Sequence, residues 1–482
     1  MPFKEKLGLF DTTNLVIGAI VGADVYIATA FGLSQLGPAS ILAWIVAGIF
    51  AIITALAFSQ CARHVQKSGG PYAFVKQAFG NFPGFVSGWL VWLAELASMC
   101  VFPLAFVAYL NFLVPIDFFS KTILIALFLA FLFLTNYFGI KKAAQVNDVL
   151  TIIKLLPLLL IILLGFWVFA SNPSQSLQNF SPFSPFGFES FGEIIVLVFW
   201  AFVGFELATI PAGEIKNPRK TIPKAIIIGV SIVAFFYIIT NISLIAIAGM
   251  QLAGHDAPLA LAASLSLGAI GALIMVVGAM LSVSGSDESN IIGTSRLGFA
   301  LSADGYFPKF LSRLHPKYSS PVASLAFHSI AAFALTLFFQ IKEFVIFATF
   351  NFALVFLLVT LSAFRLNKRK TRLEKAILAA SLLVCAYIII NVQLLSVIVG
   401  IAALLFGIVV YPFFSKQELK AEKAFLLKEE HIAYRMIRHE ESFLANVFKH
   451  LKIQSRKLQG LKHAHSLRER AHSHKHEKAS KL

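Results

Sequence analysis

Apolar stretches of about twenty residues, the length of helix needed to cross a bilayer, follow one another along most of this chain. They fall near 10–33, 39–60, 83–113, 122–140, 148–170, 190–211, 223–249, 265–301, 321–340, 343–364, 373–391 and 393–414. The segment 265–301 is too long for one straight crossing and has to bend or take in a flanking helix. The last two are separated only by "NVQ" and form a tight hairpin. Charged residues make up 13% of the chain, where soluble domains carry about 25%. With 49 phenylalanines and a mean hydropathy of +0.80, the 482 residues cannot be packed into one aqueous core. The chain reads as an all-α polytopic membrane protein with twelve transmembrane helices in residues 1–414 and a separate tail, 415–482.

The charges follow this layout. With both termini on the cytoplasmic side, the cytoplasmic segments hold 37 of the 40 Lys and Arg; Lys121 and Lys342 lie outside and Lys154 falls within a span. That is the positive-inside pattern. A net charge of +16 then needs no nucleic acid to explain it, because the basic faces meet cytosol and anionic lipid headgroups. "MPFKEKLGLFDTTN" runs into the first span without a small-residue cleavage site, so no cleavable signal peptide is expected. Cys61, Cys100 and Cys385 sit in or beside apolar spans and give neither a disulfide framework nor a metal spacing. The tail, with 16 Lys and Arg, 8 acids and 8 of the 12 histidines, reads as a basic, lipid-attracted extension. His472, His474 and His476 alternate there, but the tail is read as solvated, and no metal or cofactor is expected.

One residue in the first span breaks the apolar pattern. Asp24, in "GAIVGADVYI", is the only charge between Asp11 and Arg63, and an ionised carboxylate in hydrocarbon costs about 3 kcal/mol on insertion scales. A counterpart stands in the sixth span: "VGAD" at 21–24 matches "VGFE" at 203–206, a valine and a glycine followed, one residue on, by an acid. Glycine-interrupted spans at matching places in two halves point to a transporter built from inverted repeats, with its binding site where the helices unwind. Unwound backbone is tolerated at membrane depth only where it lines a polar cavity.

Longer motifs carry a resemblance. "FWAFVGFELATIPAGEIKNPRKTIPKAI" (199–226) resembles the sixth-helix signature of amino acid–polyamine–organocation (APC) permeases. "SRLGFALSADGYFPKFLSRLHPKYSSPVASL" (295–325) resembles their loop after helix eight, "SGGPYAFVKQAFG" (68–80) their loop between helices two and three, and "TIIKLLPLLLIILLG" (151–165) their helix five. The likeness covers roughly residues 8–325, in order. It implies the leucine-transporter fold of two five-helix inverted repeats, about 10–170 and 190–364, plus two extra helices at about 373–414. It also implies secondary transport of amino acids or amines across the cytoplasmic membrane, coupled to protons or to exchange.

The same resemblance assigns expected roles. Gly22, Ala23, Asp24 and Val25 stand where these permeases carry a glycine-rich helix-one break that holds the substrate's carboxylate. Asp24 departs from that pattern: either it reads a substrate amine, or it turns towards a cation. Lys154 falls where proton-coupled relatives place a lysine in the cation site; the alternative is a lysine snorkelling from a helix end. Trp200, Phe202 and Gly204 fall at the helix-six break, with Trp200 at the position of a gating aromatic and Glu206 at that of a glutamate linked to proton sensing. In "SVSGSDESNIIG" (282–293), Asp287 and Asn290 share a helix face, whereas Glu288 lies about 100° away. Acids lining a cavity favour a cationic substrate, so a cationic amino acid or a polyamine is expected. Glu95 can join either acidic network. The spans show no convergent nucleophile, base or metal ligands, so an enzyme is not expected. An exchanger, or a nutrient sensor signalling through the tail, remain the other readings.

Overall fold

The computed structural model describes residues 7–65, 69–138, 153–209, 215–318, 320–368 and 370–413. The tail, Lys141, Lys142, the start of the expected fifth span and the middle of the 199–226 motif, at 210–214, lie outside the described residues. Within the described residues the chain is helical, with one isolated parallel bridge between Leu7 and Ile215 and no strand. Eight helical stretches are long and apolar enough to cross a membrane: 23–64, 81–111, 118–137, 218–252, 258–303, 341–366, 372–390 and 394–413. Shorter apolar helices occupy 9–20, 155–171 and 322–336.

The first apolar segment is two helices. The first, α1 (Leu9–Ile20), ends at Val21 and Gly22, which are not helical, and α2 (Ala23–Leu36) resumes the path. At Gly37, with φ of +64°, and Pro38 the chain turns through one 3-10 turn into α3 (Ser40–His64). Next come α4 (Gly70–Phe79), α5 (Asn81–Asn111), α6 (Phe118–Tyr137) and α7 (Leu155–Ser171). The stretch 68–80, expected as a loop, thus contains a helix, whose buried Tyr72, Phe74 and Val75 pack into the core.

In the sixth apolar segment, α8 (Phe191–Trp200) unwinds through tight turns at 201–204 into a short 3-10 turn, Phe205–Thr209. Beyond it stand α9 (Pro218–Ala248), α10 (Pro258–Ala303), α11 (Val322–Thr336), α12 (Ile341–Leu366), α13 (Arg372–Ile390) and α14, residues 394–413. The overlong segment bends, as its length requires: α10 runs 46 residues and kinks at Gly268, where φ is +63°. α9 packs along α3, and α5 packs along both α10 and α12, so the middle of α5 is enclosed on several sides. Outer faces of α6, α7, α13 and α14 expose Leu, Ile and Phe, as a lipid-facing surface requires. This is a multi-pass membrane protein. The three cysteines are free and buried.

Candidate functional site

The two breaks meet in space. Gly204, with φ of +120°, adopts a conformation that glycine alone takes easily, and a Cβ there would stand 2.7 Å from the carbonyl oxygen of Ala19 in α1. Gly22 is required for closeness and not for its dihedrals: a Cβ would stand 2.9 Å from the Ser286 side chain of α10 and 3.2 Å from the ring of Phe102. The two glycines let α1, α5, α8 and α10 converge on one region.

A helix that stops inside a membrane leaves its last carbonyls without partners. Here side chains from three other elements supply them. Lys154, at the start of α7 and fully buried, donates from Nζ to the Gly18 carbonyl and, at 3.3 Å, to Ser286 Oγ. Ser286 Oγ donates to the Val21 carbonyl at 2.7 Å, and the Tyr237 hydroxyl of α9 donates to the Ile20 carbonyl at 3.3 Å. Tyr26 and Tyr109 brace the other side, the first donating to the Lys154 carbonyl at 3.2 Å and the second to the Tyr26 carbonyl at 2.7 Å.

Asp24 occupies the first turn of α2, where the helix dipole favours an anion. Its carboxylate lies among the backbone amides of Gly22 and of Asp24 itself, the Tyr237 hydroxyl and the charge of Lys154, and it also lines the central cavity. Among the described residues Asp24 and Lys154 form no direct ion pair. So the two orientations open for Asp24 coincide: it faces the lysine and the cavity at once.

That cavity measures about 30 Å³, room for about two waters. Glu95, Ser98 and Phe102 of α5, Trp200, Gly204 and Glu206 of the second break, and Ser286 and Asn290 of α10 line it together with Asp24. Trp200 Nε1 donates to Ser98 Oγ at 3.1 Å, and its ring packs on Phe102 with centroids 6.3 Å apart. Glu95 accepts from Asn290 Nδ2 at 2.9 Å through one oxygen, and Glu206 accepts from the Gly204 amide at 3.0 Å. The second oxygen of each acid is buried without a hydrogen-bond partner among the described residues. An amino acid is several times larger than this space, so occupancy requires the surrounding helices to move.

Of the residues expected at the site, Asp24, Trp200, Gly204, Glu206 and Asn290 line the cavity, and Lys154 stands directly behind α1. Ala23 and Val25 are buried beside it without lining it. Phe202 points away, packing on Trp44 and Tyr237 with centroids 6.1 and 5.4 Å apart. Asp287 is fully buried next to Cys100, outside the cavity lining, with both oxygens unpartnered among the described residues. Glu288 accepts from Thr135 of α6 at 2.9 Å. Ser98, Phe102 and Tyr237 carry no such signal in the sequence, since each stands among other polar and aromatic residues of its span; packing brings Ser98 and Phe102 to the cavity and Tyr237 to the end of α1. No group of three or more His, Cys, Asp or Glu able to hold a metal ion occurs among the described residues. A separate cavity of about 510 Å³ lies at the end of the bundle where α12 begins, and it shares no lining residue with the central one.

Broken apolar helices that cross around a small polar cavity, with a buried lysine tied to one break, define a helical membrane carrier. The chain belongs to the amino acid permease family, whose model matches residues 7–428. It is 27% identical over 445 residues to a branched-chain amino acid permease of Bacillus subtilis (strain 168), an alignment covering 86% of this chain and 94% of that one. It is 28% identical over 353 residues to a large neutral amino acids transporter small subunit 2 of Homo sapiens, covering 68% of this chain and 63% of the human protein. An uncharacterized transporter of Mycobacterium tuberculosis (strain ATCC 25618 / H37Rv) is 27% identical over 412 residues, covering 85% of this chain and 91% of that protein. These relatives are transporters and not enzymes.

Proposed function

We propose that the protein is a proton-coupled secondary transporter of amino acids, with substrate bound where the two helix breaks cross. On this reading the twelve apolar segments form two inverted five-helix repeats and two further helices, and both termini lie on the cytoplasmic side of the cell membrane. The observation that carries it is the Lys154 ammonium, hydrogen-bonded to the Gly18 carbonyl at the end of α1 and to Ser286. A protonated lysine there ties α7 and α10 to the break, and loss of its proton would slacken that tie. Proton binding and the positions of the helices around the cavity are thereby linked.

The lining supports a substrate class. Asp24 has Lys154 as its counter-charge, but Glu95 and Glu206 have no described cation beside them, so the cavity favours a cationic amino acid. A polyamine meets the same two acids but lacks a carboxylate. A neutral branched side chain is the second reading, supported by the names of the Bacillus and human relatives and by Phe102, Trp200 and Phe352 on the wall. Competition against uptake in proteoliposomes decides: the main reading expects L-arginine and L-lysine to compete best, the second expects L-leucine and L-isoleucine. Exchange in place of proton symport would show as uptake that requires amino acid trapped inside and ignores a pH gradient.

A further inference from the structure

The cavity of about 510 Å³ is walled by Ile27 and Phe31 of α2, Leu104 and Val107 of α5 and Ile341 of α12, and it carries three charges: Lys121, Asp256 and Lys342. Lys342 is already paired with Glu193 at 2.9 Å, and Gln393 donates to the same carboxylate at 2.7 Å. The side chain of Asn111 is used as well, accepting from the Ile116 amide at 2.8 Å. Lys121 and Asp256 are exposed, opposite in sign, and their side chains have no hydrogen-bond or ion-pair partner among the described residues. A concave space of this size suits a small organic molecule, and charges on low-dielectric walls act more strongly than on an open surface.

We propose that this cavity is an outer binding site for the zwitterionic head of an amino acid, with Lys121 receiving the carboxylate and Asp256 the ammonium. The proposal rests on the transport reading and on its orientation, which puts Lys121 and Lys342 outside. One carboxylate, one ammonium and an aliphatic body match one free cation, one free anion and an apolar wall. Neutral and cationic amino acids share that head, whereas amines without a carboxylate lack half of it. The vestibule therefore selects amino acids before the central cavity discriminates between side chains.

The test reads occupancy without requiring transport. Ala108 lines the cavity and is partly exposed, and the three native cysteines are buried. The full-length protein carrying Ala108→Cys, in proteoliposomes, is labelled with a membrane-impermeant thiol reagent. L-Leucine and L-arginine should slow labelling several-fold, while isoamylamine and agmatine, the same molecules without the carboxylate, should not. Adding Lys121→Gln or Asp256→Asn should remove the protection, and adding Gly22→Leu at the central site should leave it intact. Protection by the amines, protection that survives both vestibule substitutions or is lost with Gly22→Leu, or no protection at all overturns the proposal. Flux is scored separately on the wild type, so protection without flux counts against the transport reading and supports the vestibule site.

Discussion

Lys154 is one positive charge placed where α1 runs out of hydrogen-bond donors. Truncating it leaves the Gly18 carbonyl unsatisfied in the interior, a loss of about 1–3 kcal/mol of stability, and removes the nearest counter-charge of Asp24. Lys154→Ala is expected to retain a folded protein in detergent with a lowered melting temperature, and to carry substrate only down its own gradient, at a rate that no longer varies with pH. Asp24→Gly separates the two functions Asp24 can serve. If its main role is to balance Lys154, substrate preference persists and the pH profile of transport shifts. If it reads the substrate amine, amine-bearing substrates lose affinity. Glu95→Gln tests the lining: competition by L-arginine should weaken several-fold while competition by L-leucine holds. Equal effects on both would remove Glu95 from side-chain recognition. Acids and lysines stood out in the sequence because intramembrane charges are costly and few. Their partners did not, since hydropathy carries no information on the rotation of one helix against its neighbour. That is why Glu95 could not be assigned to a network, and why Asp287, which shares a helix face with Asn290, turns out to lie beside Cys100 and off the cavity.

At the level of elements, the breaks depend on two glycines used in different ways. Gly204 needs its positive φ and its nearness to the Ala19 carbonyl, so Gly204→Ala combines backbone strain of about 1–3 kcal/mol with a clash at 2.7 Å. It should express poorly and melt early. Gly22 has a negative φ but no room for a side chain beside Ser286 and Phe102, so Gly22→Leu should lose central-site binding at some cost in melting temperature, measured by thermal shift with and without substrate. Binding that survives Gly22→Leu would move the site away from the first break. Asp117, which caps α6 just ahead of its apolar run, adds a pH prediction. The Ser120 hydroxyl and nearby backbone amides, Phe119 among them, hold the Asp117 carboxyl below its usual range. Its capping contribution is therefore complete above the ordinary carboxylate range and is lost as pH falls through its lowered value. Hydrogen exchange at residues 118–121, corrected for the intrinsic pH effect, should rise at acidic pH, and Asp117→Asn should flatten that rise. Both breaks were legible as glycines in apolar runs; the helix at 70–79 was not, because a ten-residue helix has no span-length signal.

For the whole molecule, runs of about twenty apolar residues located nearly every helix, because a bilayer requires each crossing to satisfy its own backbone. The kink at Gly268 splits off only the start of the one segment whose length did not fit, and residues 269–303 continue as one long helix. What hydropathy could not supply was the cavity, which arises from α1, α5, α8 and α10 meeting off-centre. In this structure the central space has room for about two waters, and an amino-acid-sized space lies at the Lys121 end. On the proposed transport reading, an alternating cycle accounts for both, with substrate first held in the vestibule and the broken helices then moving to admit it.

The central claim is that a proton, through Lys154, drives an amino acid across the membrane. Purified protein in sodium-free proteoliposomes, with an acidic exterior and a neutral interior, is given radiolabelled L-arginine or L-leucine, and Lys154→Ala is run beside the wild type. The account predicts accumulation that follows the pH gradient, collapses with a protonophore and is absent from the variant. Uptake that requires sodium, or that follows the pH gradient equally well without Lys154, would contradict it.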